Sequence, residues 1–385
     1  MNALIEKEIS GAESLQASSS RSPAIPALSS IRFLLALSIL FGHFTQTFPI
    51  HSDFFDLNLA FDNNTAVAAF FCLSGFVTTY QYGLAGKPIN KIDYFRKRVA
   101  RIFPLYWACL LLAVMITPLQ TIFPDFHQII PVVVVNFFLL QAWTDNPLYL
   151  WGIVVPAYSL SMEVAYSVLF PFIINSFRKT YGLWLLLSLS LFGIISFTTP
   201  MVAQVDWWEH VFPLCCVYSF ILGMTGAIFI PLLKQAHSHK SSWDFWTFSS
   251  LELILAVVFL RYGVSDKLAA LFLFTILMLV LTIERGILSR ILGWRPLAKL
   301  GELSYAIYLL HHIFLRALIS MNFRADCLDV GYKLVAYTLF CVSTSYIIHK
   351  YLEQPWRQKL CGKLPQRPVW LVALTSALAF GVCIL

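Results

Sequence analysis

Charged side chains are scarce. Asp, Glu, Lys and Arg make up 12% of the 385 residues, about half the share found in soluble domains, whereas 58% are hydrophobic. This excludes a water-exposed globule, and with it the rule that a chain of this length divides into two or three soluble domains. A P-loop and a Rossmann glycine fingerprint are both missing, which weakens an ATP-driven or dinucleotide-dependent reading. No internal repeat is visible. The eight cysteines lack metal-ligand spacing, and Cys72, Cys109, Cys341 and Cys383 fall in apolar stretches, so neither a disulfide framework nor a metal site is expected. Residues 1–26 are polar, with Ser18 to Ser20 and no apolar core, so no cleavable signal peptide is expected.

What the chain does have is apolar sequence of spanning length. Stretches near 31–49, 65–82, 100–121, 129–142, 153–175, 181–198, 209–231, 248–263, 267–284, 299–320, 330–351 and 368–385 make twelve candidates, judged against the ~20 residues a helix needs to cross a bilayer. The fourth, with Pro131 to Gln141 at its centre, is too short to cross easily and reads as a re-entrant or interfacial segment. About eleven crossings remain. With the N-terminus in the cytoplasm, the inner segments hold 22 of the 27 Lys and Arg residues. A full fourth crossing would instead put Arg290, Arg295, Lys299, Arg357 and Lys359 outside. The net charge of +7 is therefore a matter of topology, and no nucleic-acid partner is expected. The expected fold is all-α and polytopic: a tail at 1–29, a membrane domain at 30–357, and a cytoplasmic linker with a final crossing at 358–385.

Polar groups inside such helices are costly, so each needs a partner or a use. Arg32 and His43 are eleven residues apart, on nearly one face of the first span and ~16 Å apart along its axis. Arg32 reads either as a topogenic charge or as a ligand for a cytoplasmic anion. His43 reads either as a packed imidazole or as a proton-transfer group. Arg98 and Arg101, in the run Arg96-Lys97-Arg98, are one turn apart and suited to gripping phosphates, although inside charge alone would also account for them. In Phe71-Cys72-Leu73-Ser74-Gly75-Phe76 the small residues permit close helix packing or a helix break. Glu163 is flanked by apolar sequence, with Ser159 one turn earlier on the same face. Ser304, Tyr308 and His311 form one stripe at i, i+4, i+7, whereas His312 points away from it and reads as structural. Glu353-Gln354-Pro355 reads as the stop of the eleventh helix.

In order and spacing these segments resemble the acyltransferase-3 family, bacterial integral-membrane O-acyltransferases of cell-surface polysaccharides. The carrying features are Arg32 with ten residues before His43, Phe71-x-Leu73-Ser74-Gly75-Phe76, Arg98-x-x-Arg101, Ser159-Leu160-x-x-Glu163, Gly301-x-x-Ser304-Tyr305-x-x-Tyr308-Leu309-x-His311, and Glu353-x-Pro355. Tyr158 stands where the family usually has tryptophan. The chain looks like the form without an appended extracytoplasmic hydrolase-like domain.

The resemblance implies an enzyme of the bacterial cytoplasmic (inner) membrane, with no bound cofactor. It would move an acyl group, most often acetyl from acetyl-CoA, to a hydroxyl of a carbohydrate acceptor such as exopolysaccharide, capsule or O-antigen. Membrane lipid and polysaccharide-assembly proteins are the expected surroundings. On this reading Arg32, Arg98 and Arg101 bind the donor. His43 is the general base, with Glu163 orienting it or binding the acceptor, and Ser74, Ser159, Tyr308 and His311 serve the acceptor or the oxyanion. The alternative from another class is a proton-coupled transporter or exporter of a glycan or acyl donor, in which Glu163 and His43 form a proton relay.

Overall fold

The computed structural model describes residues 25–48, 63–84, 88–116, 126–201, 207–237, 242–262, 267–320 and 330–362. The stretch expected to cross at 368–385, and Cys383 within it, lie outside the described residues. No strand occurs among those that are described. In chain order the helices are α1 (Pro26–Thr47), α2 (Asn63–Thr78), α3 (Lys91–Ile116), α4 (Phe126–Phe137), α5 (Pro147–Trp151), α6 (Ala157–Thr198), α7 (Val217–Ile228) and α8 (Ile230–Ala236). They continue with α9 (Ser242–Tyr262), α10 (Lys267–Leu281), α11 (Ile287–Leu292), α12 (Arg295–Leu300), α13 (Ser304–Ser320), α14 (Val330–Ile348) and α15 (Gln354–Cys361).

Five segments among the described residues are long and apolar enough to cross a membrane: α1, α3, Ala157–Met201, Val217–Ala236 and Arg295–Ser320. Their outward faces agree with lipid rather than water. Leu183, Leu186, Leu187, Ile194 and Phe197 in the second half of α6 are all exposed, a row that an aqueous surface would not tolerate. By contrast α4 has 12 residues, ~18 Å at 1.5 Å per residue, against a hydrocarbon core of ~30 Å.

Local sequence explains several boundaries. Pro26 opens α1 in the first turn, where a missing N–H costs nothing. Asn90 caps α3 by accepting from the Asp93 amide at 3.1 Å, and the Asp93 carboxylate pairs with Arg96 (2.6 Å) and Lys97. The cap starts α3 well before the apolar stretch, so Arg98 and Arg101 sit in the helix and not in a loop ahead of it. The spans expected at 153–175 and 181–198 are joined in α6, which breaks at Thr180 (φ −134°, ψ 37°) without an intervening loop. At Pro355 the chain does not stop. It passes from α14 through a π-turn at His349–Glu353 into α15, with Pro355 in the tolerated first turn.

Close approach of α2 and α7 forms the centre of the bundle. A β-carbon on Gly75 would stand 2.1 Å from the Phe220 carbonyl oxygen, and one on Gly223 1.8 Å from that of Cys72. The two glycines let the backbones touch reciprocally, the arrangement small residues allow in membrane helices. α1 packs on both α2 and α13, and Gly301 admits the Ser29 carbonyl, where a β-carbon would lie 2.0 Å away. Glu252 is fully buried in α9 and accepts from the Leu288 (2.8 Å) and Ser289 (3.1 Å) amides and from the Ser289 hydroxyl, capping α11.

Candidate active site

Five helices, α1, α2, α3, α6 and α13, converge with α15 on a cavity of about 230 Å³. Helix direction decides what reaches it. α1 contributes Arg32 near its start, α2 contributes Ser74 on the side of the helix away from Gly75, and α3 contributes Lys97, Arg98 and Arg101 from its first turns. Ser159 and Glu163, one turn apart, enter from α6, and Ser304, Tyr305 and Tyr308 from α13. Arg357 and Cys361 close the last side from α15. Five cationic side chains thus face one carboxylate.

Arg98 is the best held of the cations. It donates to the Thr78 hydroxyl, lies over the Tyr94 ring at 5.4 Å, and stands 3.9 Å from Glu163. The last distance is too long for a hydrogen bond, so Glu163 acts on Arg98 through charge. Arg101 has Glu163, Arg98, Arg357 and Glu353 as its charged neighbours, and Arg32 has Arg101, Glu163 and Arg98. Among the described residues Arg32, Arg101 and Arg357 make no hydrogen bond or ion pair. A partly enclosed set of guanidinium groups with spare donors is a site for a polyanion.

A second polar layer lies deeper. Ser159 Oγ and Tyr308 Oη are 2.6 Å apart, and both reach the Pro156 carbonyl, at 2.9 and 3.1 Å. The Tyr308 ring is 6.1 Å from Phe70 and 5.9 Å from His311, and His311 stacks on His43 at 5.4 Å. His43 and His311 do not line the cavity, whereas Phe70 and Tyr308 do. Glu163 keeps company with the arginines and, among the described residues, makes no contact with His43 that would orient it. His312 does not point away: its ring meets His43 edge-on at 5.7 Å, so His43 stands between two imidazoles.

His311 Nδ1 is 3.2 Å from the Ile307 carbonyl, which requires the proton on that nitrogen. Nε2 is then a lone pair, buried and without a partner among the described residues. In this form His311 can accept a proton but cannot donate to an oxyanion, whereas the Tyr308 hydroxyl can. No group of three His, Cys, Asp or Glu among the described residues is placed to hold a metal ion.

Sequence reasoning missed Arg357, Tyr305 and His312. Arg357 had one available signal, its position one turn beyond Glu353 in a segment of helical length. Tyr305 binds the Ile102 carbonyl at 2.6 Å and so fixes α13 against α3 beside Arg101.

Fold and site together define a helical membrane protein whose bundle encloses a cationic cavity with a buried Ser–Tyr–His layer behind it. A model of the acyltransferase-3 family, described as an acyltransferase domain, matches residues 25–385, and the chain belongs to that family. Acyltransferase MdmB of Streptomyces mycarofaciens is 26% identical over 325 residues, covering 76% of this chain and 79% of that protein. No solved structure matches. The protein is accordingly a membrane acyltransferase.

Proposed function

We propose that the protein transfers an acyl group, acetyl in the first instance, from acyl-CoA to a hydroxyl of a cell-surface carbohydrate. The observation that carries this reading is the cavity: four arginines from three helices, three of them with unused donors, leading to the Ser159–Tyr308 pair. Coenzyme A has phosphates at one end and the thioester at the other, and its pantetheine arm is thin enough to pass between helices.

On this reading the bundle has about eleven crossings with the N-terminus in the cytoplasm of a bacterial inner membrane, so the arginines face the compartment that contains acyl-CoA. Arg32, Arg98 and Arg101 hold the phosphates. The thioester passes Ser74 and reaches Tyr308, which swings off Ser159 to open the way to the imidazoles. His43 takes the proton of the acceptor hydroxyl as its oxygen attacks the thioester carbonyl carbon. The tetrahedral oxyanion is met by the Tyr308 hydroxyl. Its collapse breaks the carbon–sulfur bond, and the leaving thiolate recovers the proton from His43, giving an ester and free coenzyme A. His311 and His312 hold the His43 ring from two sides. Glu163 balances the charge of the arginines between turnovers.

Purified His43→Ala and Arg98→Ala variants test this, with coenzyme A binding and labelled acetyl transfer measured separately in detergent, where no membrane gradient exists. The first variant should bind without transferring, and the second should bind poorly. Wild-type turnover by His43→Ala would remove the proposed base, and absence of acyl-CoA-dependent modification by the wild type would favour a transporter.

A further inference from the structure

We propose that Arg357 reads the 3′-phosphate of the coenzyme A donor, making α15 the element that distinguishes coenzyme A from its 3′-dephospho form. The inference rests on the acyl-CoA reading above and names a residue and a ligand group within it.

Exposure separates Arg357 from the other three arginines. Arg32, Arg98 and Arg101 are all partly buried, the Arg98 side chain being 14% exposed, and Arg357 is exposed while still lining the cavity. Three guanidinium groups therefore lie inside and Arg357 stands at the rim, with Arg101 as its charged neighbour. Coenzyme A has an equivalent order: thiol, pantetheine, 5′-diphosphate, then the ribose with its 3′-phosphate. When the thioester points toward Tyr308, the diphosphate falls to the inner arginines. The 3′-phosphate is the group left at the rim.

The surroundings of Arg357 keep it available. The acids nearest the π-turn are engaged by His349, whose Nδ1 is 2.9 Å from Glu353 and whose Nε2 is 3.6 Å from Glu302. Gln354 also meets His349, at 3.2 Å. These contacts lock the turn from which α15 projects, so Arg357 is carried on a helix whose direction is fixed, and it makes no ion pair of its own among the described residues. A charge needed only for topology would not have to line the cavity. A planar guanidinium also matches a phosphate by two parallel hydrogen bonds, which an ammonium cannot do.

The test is equilibrium binding of coenzyme A and of 3′-dephospho-coenzyme A to the purified full chain in a non-ionic detergent, for wild type, Arg357→Gln and Arg357→Lys, with melting curves as a control for folding. The wild type should prefer coenzyme A by about tenfold, the usual scale of a charge-assisted pair at a rim. Arg357→Gln should weaken coenzyme A by that factor and leave the dephospho form unchanged, so that the preference falls below twofold. Arg357→Lys should keep part of it. Equal losses for both ligands, or a preference that survives Arg357→Gln, would overturn the assignment. A wild type that binds both ligands equally would overturn it while leaving the donor reading intact, whereas binding of neither would overturn both.

Discussion

Removing the one carboxylate of the cavity should tighten the binding of an anionic donor. Glu163 stands 3.9 Å from Arg98, with the two side chains 25% and 14% exposed. At an effective dielectric of 20 two unit charges at that distance interact by about 4 kcal/mol, but a phosphate gripped by the same arginines would lie at roughly twice the distance from Glu163, where the repulsion is about 2 kcal/mol per charge. Partial exposure and salt reduce this to about 1 kcal/mol, or roughly fivefold in affinity. Arg98 should keep its place without Glu163, because it is held by the Thr78 hydroxyl and the Tyr94 ring and not by a hydrogen bond to the carboxylate. Titration calorimetry of Glu163→Gln with coenzyme A should therefore show tighter binding, with the gain shrinking toward 1 M salt as the screening length falls to ~3 Å. Weaker binding by Glu163→Gln would show that the carboxylate positions the arginines, and the charge-balance argument would fail.

Three further outcomes follow from the packing. Glu252→Ala leaves the Leu288 and Ser289 amides without their acceptor and the Ser289 hydroxyl with only the Gly286 carbonyl at 3.4 Å, so it should cost about 3 kcal/mol in a detergent unfolding titration, with Glu252→Gln intermediate. Gly75→Val must push α2 off the Phe220 carbonyl and should lower both stability and coenzyme A binding, whereas Ser74→Ala, on the cavity side of the same helix, should leave the melting temperature within a degree or two. His349 donates from Nδ1 to the Glu353 carboxylate at 2.9 Å and stands 3.6 Å from Glu302, so it braces the turn that carries α15. His349→Ala should therefore lower the melting temperature by a few degrees, and an unchanged melting temperature would exclude the contacts as a brace.

The helical class and the arginine cluster were legible because both depend on composition and one-dimensional spacing. Arg98 and Arg101 share a face in any helix, and the Ser304, Tyr308 and His311 stripe needed only the 3.6-residue period. What was not legible depends on which helix meets which. Nothing in the sequence near Glu163 states that its partner is Arg98 on α3 rather than His43 on α1, since both were polar groups in search of a neighbour. His312 lies off the stripe, yet α1 packs so that His43 reaches both imidazoles. Pro355 reads as a stop because proline removes an N–H, but a π-turn just ahead of it places the proline in the first turn of α15, where that loss is tolerated. Arg357 follows from the same point: after a helix stop it would be a loop charge, whereas on α15 it lines the cavity.

Of the three π-turns among the described residues, two, other than that at Trp207–Val211, suggest why the cavity lies where it does. One follows α2 at Thr79–Gly83 and carries Gln81 and Tyr82 into the lining, and the other leads from α14 into α15 and so to Arg357. A regular helix repeats its faces every 3.6 residues, so a helix that buries an apolar stripe in the bundle continues to present that stripe as it leaves the core. An inserted π-turn rotates the following residues by roughly a quarter turn or more, and the polar side of the continuation can then face inward. Both insertions sit at the end of the bundle that bears Arg32, and none is needed at the level of His43, where the partners are supplied by α1 and α13 crossing directly. The cationic mouth and the imidazole layer are therefore built by different means, the first by altering helix phase and the second by regular packing. Substitutions that restore a straight α-helix through either turn should disturb the anion site and spare the His43–His311 stack.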